Sequence, residues 1–420
     1  MKKILMVAFH YPPCHGSSGL QRTLAFSRHL PENGWRPIVL TAHPRAYPQI
    51  RQEQLADVPP DLTVKRAFVL DTGRHLSIRQ THFKWMAVPD RWVSWWLGAV
   101  PAGLRLIRQH RPDLLWSTHP LATAHLIGAT LHRLSGIPWV ADFRDPMLER
   151  DPVTGEEYPF DPRTRRAYGW IERLTISRCA RAVFTTPGTA AIFAQRYPDV
   201  SPRRWAIIAN GYDEDSFAAA EQLAPPRDPG PRPLVLLHSG TLYAHARDPR
   251  PFFTAVAALR RAGRISPANL KIVLRATGDD AYYRGCLREA GVDDIVTLEP
   301  PLAYREALAE MLSADGLLLF QASNSNMQIP AKLYEYLRAR RPIFALTDAG
   351  GDTAHVLREA GIDTIAPLDS AEMIAKRLDD FLPRLRDPRV ALPDETAVRR
   401  HSRKARTKEL AALLSSITLR

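Results

Sequence analysis

The chain has 420 residues, of which 45% are hydrophobic and 24% charged, a composition typical of a soluble globular protein with two domains of ordinary size. Its formal net charge of +13 favours anionic partners such as nucleotides, phosphates, anionic lipid or nucleic acid. No apolar run approaches the roughly 20 residues that span a bilayer, and three widely separated cysteines argue against a disulfide framework or a zinc site and suit a reducing cytoplasm.

Short apolar runs alternate with amphipathic helical patterns along most of the chain. In the first half, strands are predicted at residues 4–9, 37–41, 64–68, 114–117, 139–141, 183–185 and 206–209, with helices at 20–30, 121–134 and 165–179. In the second half, strands are predicted at 234–237, 271–274, 295–298, 316–320, 343–346 and 364–366, with helices at 252–261, 282–290, 305–313, 331–340 and 354–360. The alternation predicts an α/β protein made of two doubly wound, parallel-sheet domains.

A proline-rich stretch separates the two halves and cannot form a helix or a central strand. We therefore expect an N-terminal domain over 1–222, a linker over 223–233, a C-terminal domain over 234–395 and a basic C-terminal helix over 396–420. In doubly wound sheets ligands bind beyond the carboxyl ends of the strands, and two facing halves would form a cleft.

The stretch 324–346 combines a polar loop, a helix and a buried strand. Pro330 suits a first helical turn, Leu333 and Leu337 share an apolar face, and Pro342 ends the helix. A helix N-terminus attracts anions, Lys332 adds a cation there, and Glu335 supplies an acceptor one turn later. This order of groups matches a diphosphate followed by a ribose diol.

Other strand ends carry residues that suit a binding site. The first strand runs into a glycine-containing loop that could let the backbone approach a phosphate or sugar, although it lacks the three-glycine dinucleotide fingerprint and supports NAD binding only weakly. That loop contributes Gly16, Ser17, Ser18 and Gly19. The alternative is a simple turn.

His119 follows the fourth strand and could bind a hydroxyl or move a proton, or it could cap the next helix. After the fifth strand, the three charges of Asp142, Arg144 and Asp145 indicate either an acceptor-side site or a self-paired cluster. In the second half, Gly240 permits close backbone approach and Arg247 could bind phosphate, with a solvated arginine as the alternative.

Four of the nine tryptophans cluster at Trp85, Trp92, Trp95 and Trp96. The last three are expected on one helical face, which indicates core packing. Basic neighbours leave a membrane-facing surface open as the alternative.

These features resemble the family-4-like glycosyltransferases of GT-B fold, which act in bacterial polysaccharide and lipid-linked glycan assembly. The most specific match is residues 329–337, Ile-Pro-Ala-Lys-Leu-Tyr-Glu-Tyr-Leu, followed by Pro342. The opening strand with its Tyr-Pro-Pro at 11–13, the Asp-Phe-Arg-Asp-Pro at 142–146 and the Asn-Gly-Tyr-Asp at 210–213 also resemble family motifs.

The resemblance implies that the second domain binds a nucleotide sugar and the first binds the acceptor. Glu335 matches the second glutamate of a Glu-seven residues-Glu motif, which holds the donor ribose. Gly240 and Arg247 look like phosphate-contacting residues, and His119 is similar to a histidine that touches the transferred sugar. The family also implies retention of configuration, no metal requirement, and a C-terminal helix that crosses back to the first domain.

Two positions depart from the family pattern. Met327 stands where the first glutamate is expected, and Thr241 stands where many members have arginine. Both positions are expected to lie at the sugar and the phosphate of the donor. We expect Lys332, Asn324 and Asn326 to supply the contacts that these two substitutions remove. The full set of expected donor-binding residues is Gly240, Thr241, Asn324, Asn326, Met327, Ala331 and Glu335, with His119, Arg247 and Lys332 expected to be catalytic.

The sequence thus predicts a cytoplasmic glycosyltransferase that uses a nucleoside-diphosphate sugar, needs no cofactor and contacts the inner face of the membrane at its periphery. The acceptor is expected to be a glycan or a lipid-linked glycan. Alternatives are a nucleotide-sugar epimerase on the same scaffold and a non-catalytic protein that binds nucleotide sugars. Nucleic-acid binding rests on charge alone and is not expected.

Overall fold

The computed structural model describes residues 1–14, 18–77, 83–150, 155–225, 232–242, 247–387, 389–390 and 392–418. The chain divides into two compact units. The first comprises Met1–Asn210 and Arg403–Arg420, and the second comprises Gly211–Ser402.

A parallel sheet forms the centre of the first unit, with strands in the order β3-β2-β1-β4-β5-β8-β9. Its strands, with the antiparallel ribbon β6-β7, are β1 (Lys2–Val7), β2 (Trp35–Ala42), β3 (Thr63–Ala67), β4 (Leu114–Thr118), β5 (Trp139–Arg144), β6 (Glu149–Arg150), β7 (Glu157–Tyr158), β8 (Arg181–Phe184) and β9 (Trp205–Ile207). Its helices are α1 (Ser18–His29), α2 (Thr72–His75), α3 (Trp95–His110), α4 (Ala122–Ser135), α5 (Pro162–Arg178) and α6 (Pro187–Arg196).

A second parallel sheet forms the centre of the second unit, in the order β12-β11-β10-β13-β14-β15. Its strands are β10 (Leu234–Ser239), β11 (Leu270–Arg275), β12 (Val296–Glu299), β13 (Gly316–Phe320), β14 (Ile343–Leu346) and β15 (Ile365–Ala366). The helices that follow β9 in the chain are α7 (Glu214–Leu223), α8 (Arg250–Arg261), α9 (Asp280–Ala290), α10 (Tyr304–Ser313), α11 (Lys332–Ala339), α12 (Asp352–Glu359), α13 (Ala371–Phe381), α14 (Glu395–Arg400) and α15 (Arg403–Thr418).

The predicted pair of doubly wound parallel sheets is confirmed. Every strand predicted from the sequence is present, and the central strands β1, β4, β10 and β13 are apolar because helices cover both faces of each sheet. The strand order reverses between β1 and β4 and between β10 and β13. Such switch points leave a crevice beyond the carboxyl ends of the strands, where ligands bind in folds of this kind.

The tryptophan cluster divides between core and surface. Trp95 is fully buried, and Trp92 and Trp96 pack partly buried against the core of the first unit. The prediction of one shared helical face is wrong, because α3 begins at Trp95 and Trp92 lies in the turn before it. Trp85 is 66% exposed and stacks on the exposed ring of Phe83.

The second unit begins earlier than the expected boundary at 222. Helix α7 belongs to it because Arg338 of α11 binds Glu214 through Nε at 2.9 Å and Glu221 through Nη2 at 2.9 Å. Most of the predicted linker, residues 226–231, lies outside the described residues.

The C-terminal segment predicted as one helix is two helices. They break at His401, whose carbonyl accepts a hydrogen bond from the backbone N–H of Tyr212 at 3.2 Å instead of continuing the helix. Helix α15 then joins the first unit, burying Leu410 and Leu414 there, and Ser415 accepts a hydrogen bond from the indole of Trp35. Among the described residues, no helix has the length and apolarity needed to cross a bilayer.

Candidate active site

Helix α11 forms where its sequence pattern predicted a helix. Leu333 and Leu337 are fully buried on one face, and the helix ends at Arg340, which adopts the left-handed conformation with φ 49° two residues before Pro342. Ala331 occupies the N-cap position. The first backbone N–H groups of such a helix carry partial positive charge, so the turn at Ala331 and Lys332 suits an anion.

The side chain of Lys332 lies at this helix terminus beside the turn that follows β10. Its Nζ lies 3.1 Å from His238 Nε2, and a Cβ added to Gly240 would stand 2.8 Å from the same Nζ. Gly240 has φ +117°, a backbone conformation that favours glycine, and a Cβ there would displace the Lys332 amine. Burial, reinforced by the charge of Arg247 and opposed by Glu335, lowers the pKa of Lys332 to about 7.

Arg247 therefore lies near enough to act electrostatically on Lys332, and it also lowers the pKa of His238. Two cationic side chains and a helix terminus thus converge at the carboxyl end of β10. This arrangement attracts a dianionic group more strongly than a monoanion, because each added charge of the ligand meets both cations. Of the predicted donor residues, Gly240, Lys332 and Arg247 are brought together.

Glu335 lies one turn further along α11 and is half-buried. Its Oε1 accepts a hydrogen bond from the hydroxyl of Tyr304 at 2.8 Å, which orients the carboxylate. Tyr304 begins α10, and no pattern in the sequence singled it out. A carboxylate held this way can accept hydrogen bonds from a vicinal diol.

The loop at 323–328 is tied to the start of α12. Asn326 donates through Nδ2 to Asp348 Oδ2 at 2.9 Å, and its carbonyl accepts from the backbone N–H of Asp352 at 2.9 Å. Asn326 is predicted to bind the donor, but its amide nitrogen already donates to Asp348 and holds the loop in place. Asn324 accepts from the hydroxyl of Ser325 at 3.2 Å, and Met327 is 48% exposed.

Thr241, also predicted to bind the donor, contacts a different turn of the second unit from the one that Gly240 contacts. Its side chain lies against Gly278, where an added Cβ would stand 3.0 Å from the Thr241 methyl group. The close contact joins the turn after β10 to the turn after β11. The structure thus shows Thr241 in contact with Gly278, whereas Gly240 contacts Lys332.

In the first unit, His119 and Arg144 meet at the carboxyl ends of β4 and β5. Arg144 Nη1 donates to the carbonyl of His119 at 3.3 Å, and Arg144 has a left-handed backbone with φ 63°. Burial lowers the pKa of His119 well below its usual value, and His125, Arg144 and His10 lower it further. His119 is therefore a neutral imidazole, and within the described ranges its Nε2 has no hydrogen-bond partner.

His10, three residues after the end of β1, belongs to the same group. Burial and the charge of Arg144 lower its pKa to about 4. The available sequence signal was its position directly after the predicted strand 4–9. A neutral histidine can accept a proton or a hydrogen bond from a substrate hydroxyl.

Asp142 serves a structural ion pair. It is fully buried, its two oxygens accept from Arg22 Nε and Nη2 at 2.9 Å each, and Thr118 donates to it at 3.0 Å. The sequence did not indicate Arg22. Asp145 acts on Arg144, because its charge raises the pKa of that guanidinium against the effect of burial.

The glycine-containing loop after β1 is described only in part. Gly16 and Ser17 lie outside the described residues, as does the side chain of Ser18. Ser18 and Gly19 form the start of α1. The predicted contribution of this loop to an acceptor site remains a prediction.

A cavity of about 620 Å³ also opens in the second unit, near the carboxyl ends of β14 and β15. Thr347, Arg358 and Met373 are among the residues that line it. Asp248 and Ser323, which adjoin Arg247 and Asn324 in the chain, also line it, as does Asp348, the partner of Asn326, so the cavity borders the predicted donor-binding residues.

The two units, each with a doubly wound parallel sheet, have the architecture of the GT-B fold. Residues 19–211 match the family described as glycosyl transferase 4-like domain. Residues 19–211 thus form a glycosyl transferase 4-like domain, in a chain whose two parallel-sheet units have the GT-B fold. The sequence matches no curated protein.

Solved structures share the architecture over nearly the whole chain. A glycosyltransferase from Rickettsia africae has a TM-score of 0.66 at 10% identity, covering 99% of this chain and 98% of that one. The trehalose 6-phosphate synthase of Burkholderia multivorans has a TM-score of 0.64 at 14% identity, covering 100% and 97%. The UDP-GlcNAc 2-epimerase of Methanocaldococcus jannaschii has a TM-score of 0.57 at 11% identity, covering 99% and 100%. At these identities the likeness establishes the fold.

The buried pair between Arg22 and Asp142 gives a first prediction. Replacing Arg22 by Met leaves a carboxylate buried without its partner and should lower the free energy of unfolding by about 3–5 kcal/mol. Adding Asp142→Asn to that variant removes the charge and should recover part of the loss. Urea unfolding followed by tryptophan fluorescence measures both changes.

The matched control is Arg163→Met, since Arg163 is an exposed arginine of α5 and its loss should change stability by less than about 0.5 kcal/mol. Equal stability of the Arg22 and Arg163 variants would show that the Asp142 pair does not support the first unit.

Proposed function

We propose that the protein transfers a sugar from a nucleoside-diphosphate sugar to a hydroxyl of a glycan or lipid-linked glycan, with retention of configuration and without a metal ion. The observation that carries the proposal is the order of groups along α11. Lys332 stands at the helix N-terminus, and Glu335, oriented by Tyr304, follows one turn later. A diphosphate and the ribose diol beside it present complementary groups in the same order.

The donor side must stabilise the charge that develops on the departing diphosphate. Lys332, Arg247 and the N-terminus of α11 place positive charge where that negative charge grows. These groups are fixed before reaction, so little reorganisation is needed as the bond to the sugar breaks. The same charges supply the role that a divalent cation fills in metal-dependent transferases, which supports the metal-free proposal.

On the acceptor side, neutral His119 and His10 stand together in the first unit. Either imidazole can accept a hydrogen bond from a hydroxyl group and orient its oxygen. Arg144 lies beside both and would favour an acceptor that carries negative charge. Retention of configuration is proposed from the resemblance to family-4-like glycosyltransferases.

The second prediction concerns Glu335. Glu335→Ala removes the proposed ribose acceptor and should weaken binding of the cognate nucleotide sugar by about 10–100-fold, since hydrogen bonds to a charged group contribute about 1.5–3 kcal/mol. A thermal-shift screen of UDP-, GDP- and dTDP-sugars identifies the donor, because a ligand that binds the native state raises Tm. The exposed Glu359 of α12 offers a matched control, Glu359→Ala, which should bind normally.

Transfer to lipid-extract and glycan acceptors is then assayed with and without EDTA, and turnover should survive chelation. Donor binding unchanged in the Glu335 variant would contradict the ribose assignment, and activity lost with EDTA and restored by Mg²⁺ would contradict the metal-free mechanism. Interconversion of the sugar without any acceptor would instead favour an epimerase.

We also propose that the first unit contacts an anionic membrane surface at its periphery, at the inner face of the cytoplasmic membrane. Phe83 is 71% exposed and Trp85 is 66% exposed, and their rings stack with centroids 6.4 Å apart. Aromatic side chains of this kind insert at the lipid headgroup level, and a net charge of +13 favours an anionic leaflet.

The third prediction is that Trp85→Ala lowers co-sedimentation with vesicles containing anionic phosphatidylglycerol several-fold at low salt. Trp170, 54% exposed on α5, provides the comparison, and Trp170→Ala should bind as the unmodified protein does. Binding lost only in the Trp170 variant, or absent in every protein, would refute a contact through Phe83 and Trp85.

A further inference from the structure

His238 occupies a position that the donor-site pattern did not identify. It lies near the end of β10, is fully buried, and packs edge-on against Phe320 of β13 with ring centroids 5.0 Å apart. Its Nδ1 lies 2.8 Å from the carbonyl oxygen of Leu318. A carbonyl only accepts, and this contact is shorter than the 3.0 Å between Nε2 and the carbonyl of Gly240, so we place the proton of the neutral ring on Nδ1.

The tautomer follows from that bond. Burial and the nearby charges of Lys332 and Arg247 lower the pKa of His238 well below its usual value, so the ring is neutral. With the proton on Nδ1, Nε2 presents a lone pair, and it accepts from Lys332 Nζ at 3.1 Å. With the proton on Nδ1, the carbonyl of Gly240, 3.0 Å from the same Nε2, makes no hydrogen bond to the ring.

The surrounding turn is held to α11 as well. The hydroxyl of Tyr336 accepts from the backbone N–H of Ser239 at 2.9 Å, and the absence of a Cβ at Gly240 leaves room for the Lys332 amine. Both sides of the His238–Lys332 contact are thus fixed by neighbours that do not depend on a ligand. The amine is directed to the N-terminus of its own helix.

We propose that His238 is a positioning residue whose Nε2 holds the amine of Lys332 at the helix N-terminus and favours its charged form, so that the site receives the diphosphate of the donor with a cation in place. The inference rests on the proposed function for the identity of the ligand, but the contact between the two side chains stands without it. Besides His238, the titratable groups acting on Lys332 are Arg247, which opposes its charge, and Glu335, which favours it.

The affinity of this site for a nucleotide sugar should decrease as pH rises, because Lys332 loses its charge. Lys332 is charged below its pKa of about 7 and neutral above it. The diphosphate diester of a nucleotide sugar stays ionised throughout this range, so only Lys332 changes charge. The affinity of the protein for the nucleotide sugar should therefore be constant below pH 7. It should fall by up to about tenfold per pH unit above the pKa of Lys332 in the unliganded protein. Removing the acceptor at His238 destabilises the charged amine and should move this fall to lower pH.

The fourth prediction tests the pair directly. Trace labelling of amines with acetic anhydride across pH, read by mass spectrometry, gives the apparent pKa of Lys332 without any ligand. His238→Phe keeps a ring against Phe320 but has no acceptor, and His238→Asn keeps a donor for Leu318 but does not reach Lys332. Both should lower the pKa of Lys332 by about one unit, because each loses a charge-assisted hydrogen bond.

His238→Gln extends an amide oxygen to the place of Nε2 and should restore the value of the unmodified protein. His355→Asn, at a 69% exposed histidine of α12, is the matched control and should change nothing. A pKa of Lys332 that is equal in all variants, or that rises in the Phe and Asn variants, would overturn the proposal. Thermal melting establishes which variants fold, and one folded variant of the pair His238→Phe and His238→Asn is sufficient for the test.

Titration with UDP-glucose and GDP-mannose separates this inference from the proposed function. If the His238→Phe variant loses affinity at a lower pH than the unmodified protein does, the result supports both the positioning role of His238 and the proposed function. Binding whose pH profile is unmoved by the substitution refutes the role of His238 and leaves the function intact. If neither compound binds while labelling still shows the dependence on His238, the donor assignment fails and the positioning role stands.

Discussion

The parallel pairing of both main sheets is the constraint on which the rest of the structure depends. All strands of a parallel sheet end at one edge, so side chains distant in sequence meet there. In the first unit, this brings together His10, His119 and Arg144 from three strand ends. In the second, it brings the turn after β10 to the start of α11, which follows β13, the neighbouring strand. The two groups lie at the points where strand order reverses.

The chemistry of the two groups differs because burial acts differently on each. In the first unit, burial keeps the histidines neutral, so hydrogen-bonding groups face an acceptor while the fixed charge of Arg144 stands beside them. In the second unit, burial brings the pKa of Lys332 to about 7, and a neutral histidine rather than a carboxylate contacts its amine. An ammonium without a counter-ion is poised to bind an anion, whereas one paired with a carboxylate would have to exchange partners first.

The sequence predicts the strands and most helices, because apolar runs and amphipathic periods are local signals. It also predicts α11 with Lys332 and Glu335, since helix N-terminus, cation and acid lie within one turn. It could not predict Arg22 as the partner of Asp142, or Tyr304 as the partner of Glu335, because these contacts join residues far apart in the chain. The break at His401 and the early start of the second unit depend on tertiary contacts for the same reason. Composition could not separate buried Trp95 from exposed Trp85, because burial depends on what packs above each ring.

Hydrogen–deuterium exchange with and without the nucleotide sugar that gives the largest thermal shift tests the central claim most directly. We expect slower exchange in residues 238–241 and 330–336, the two segments that meet at Lys332. Protection confined to the segment 347–369, which contributes to the cavity lined by Thr347 and Arg358, would contradict it and place the donor elsewhere in the second unit.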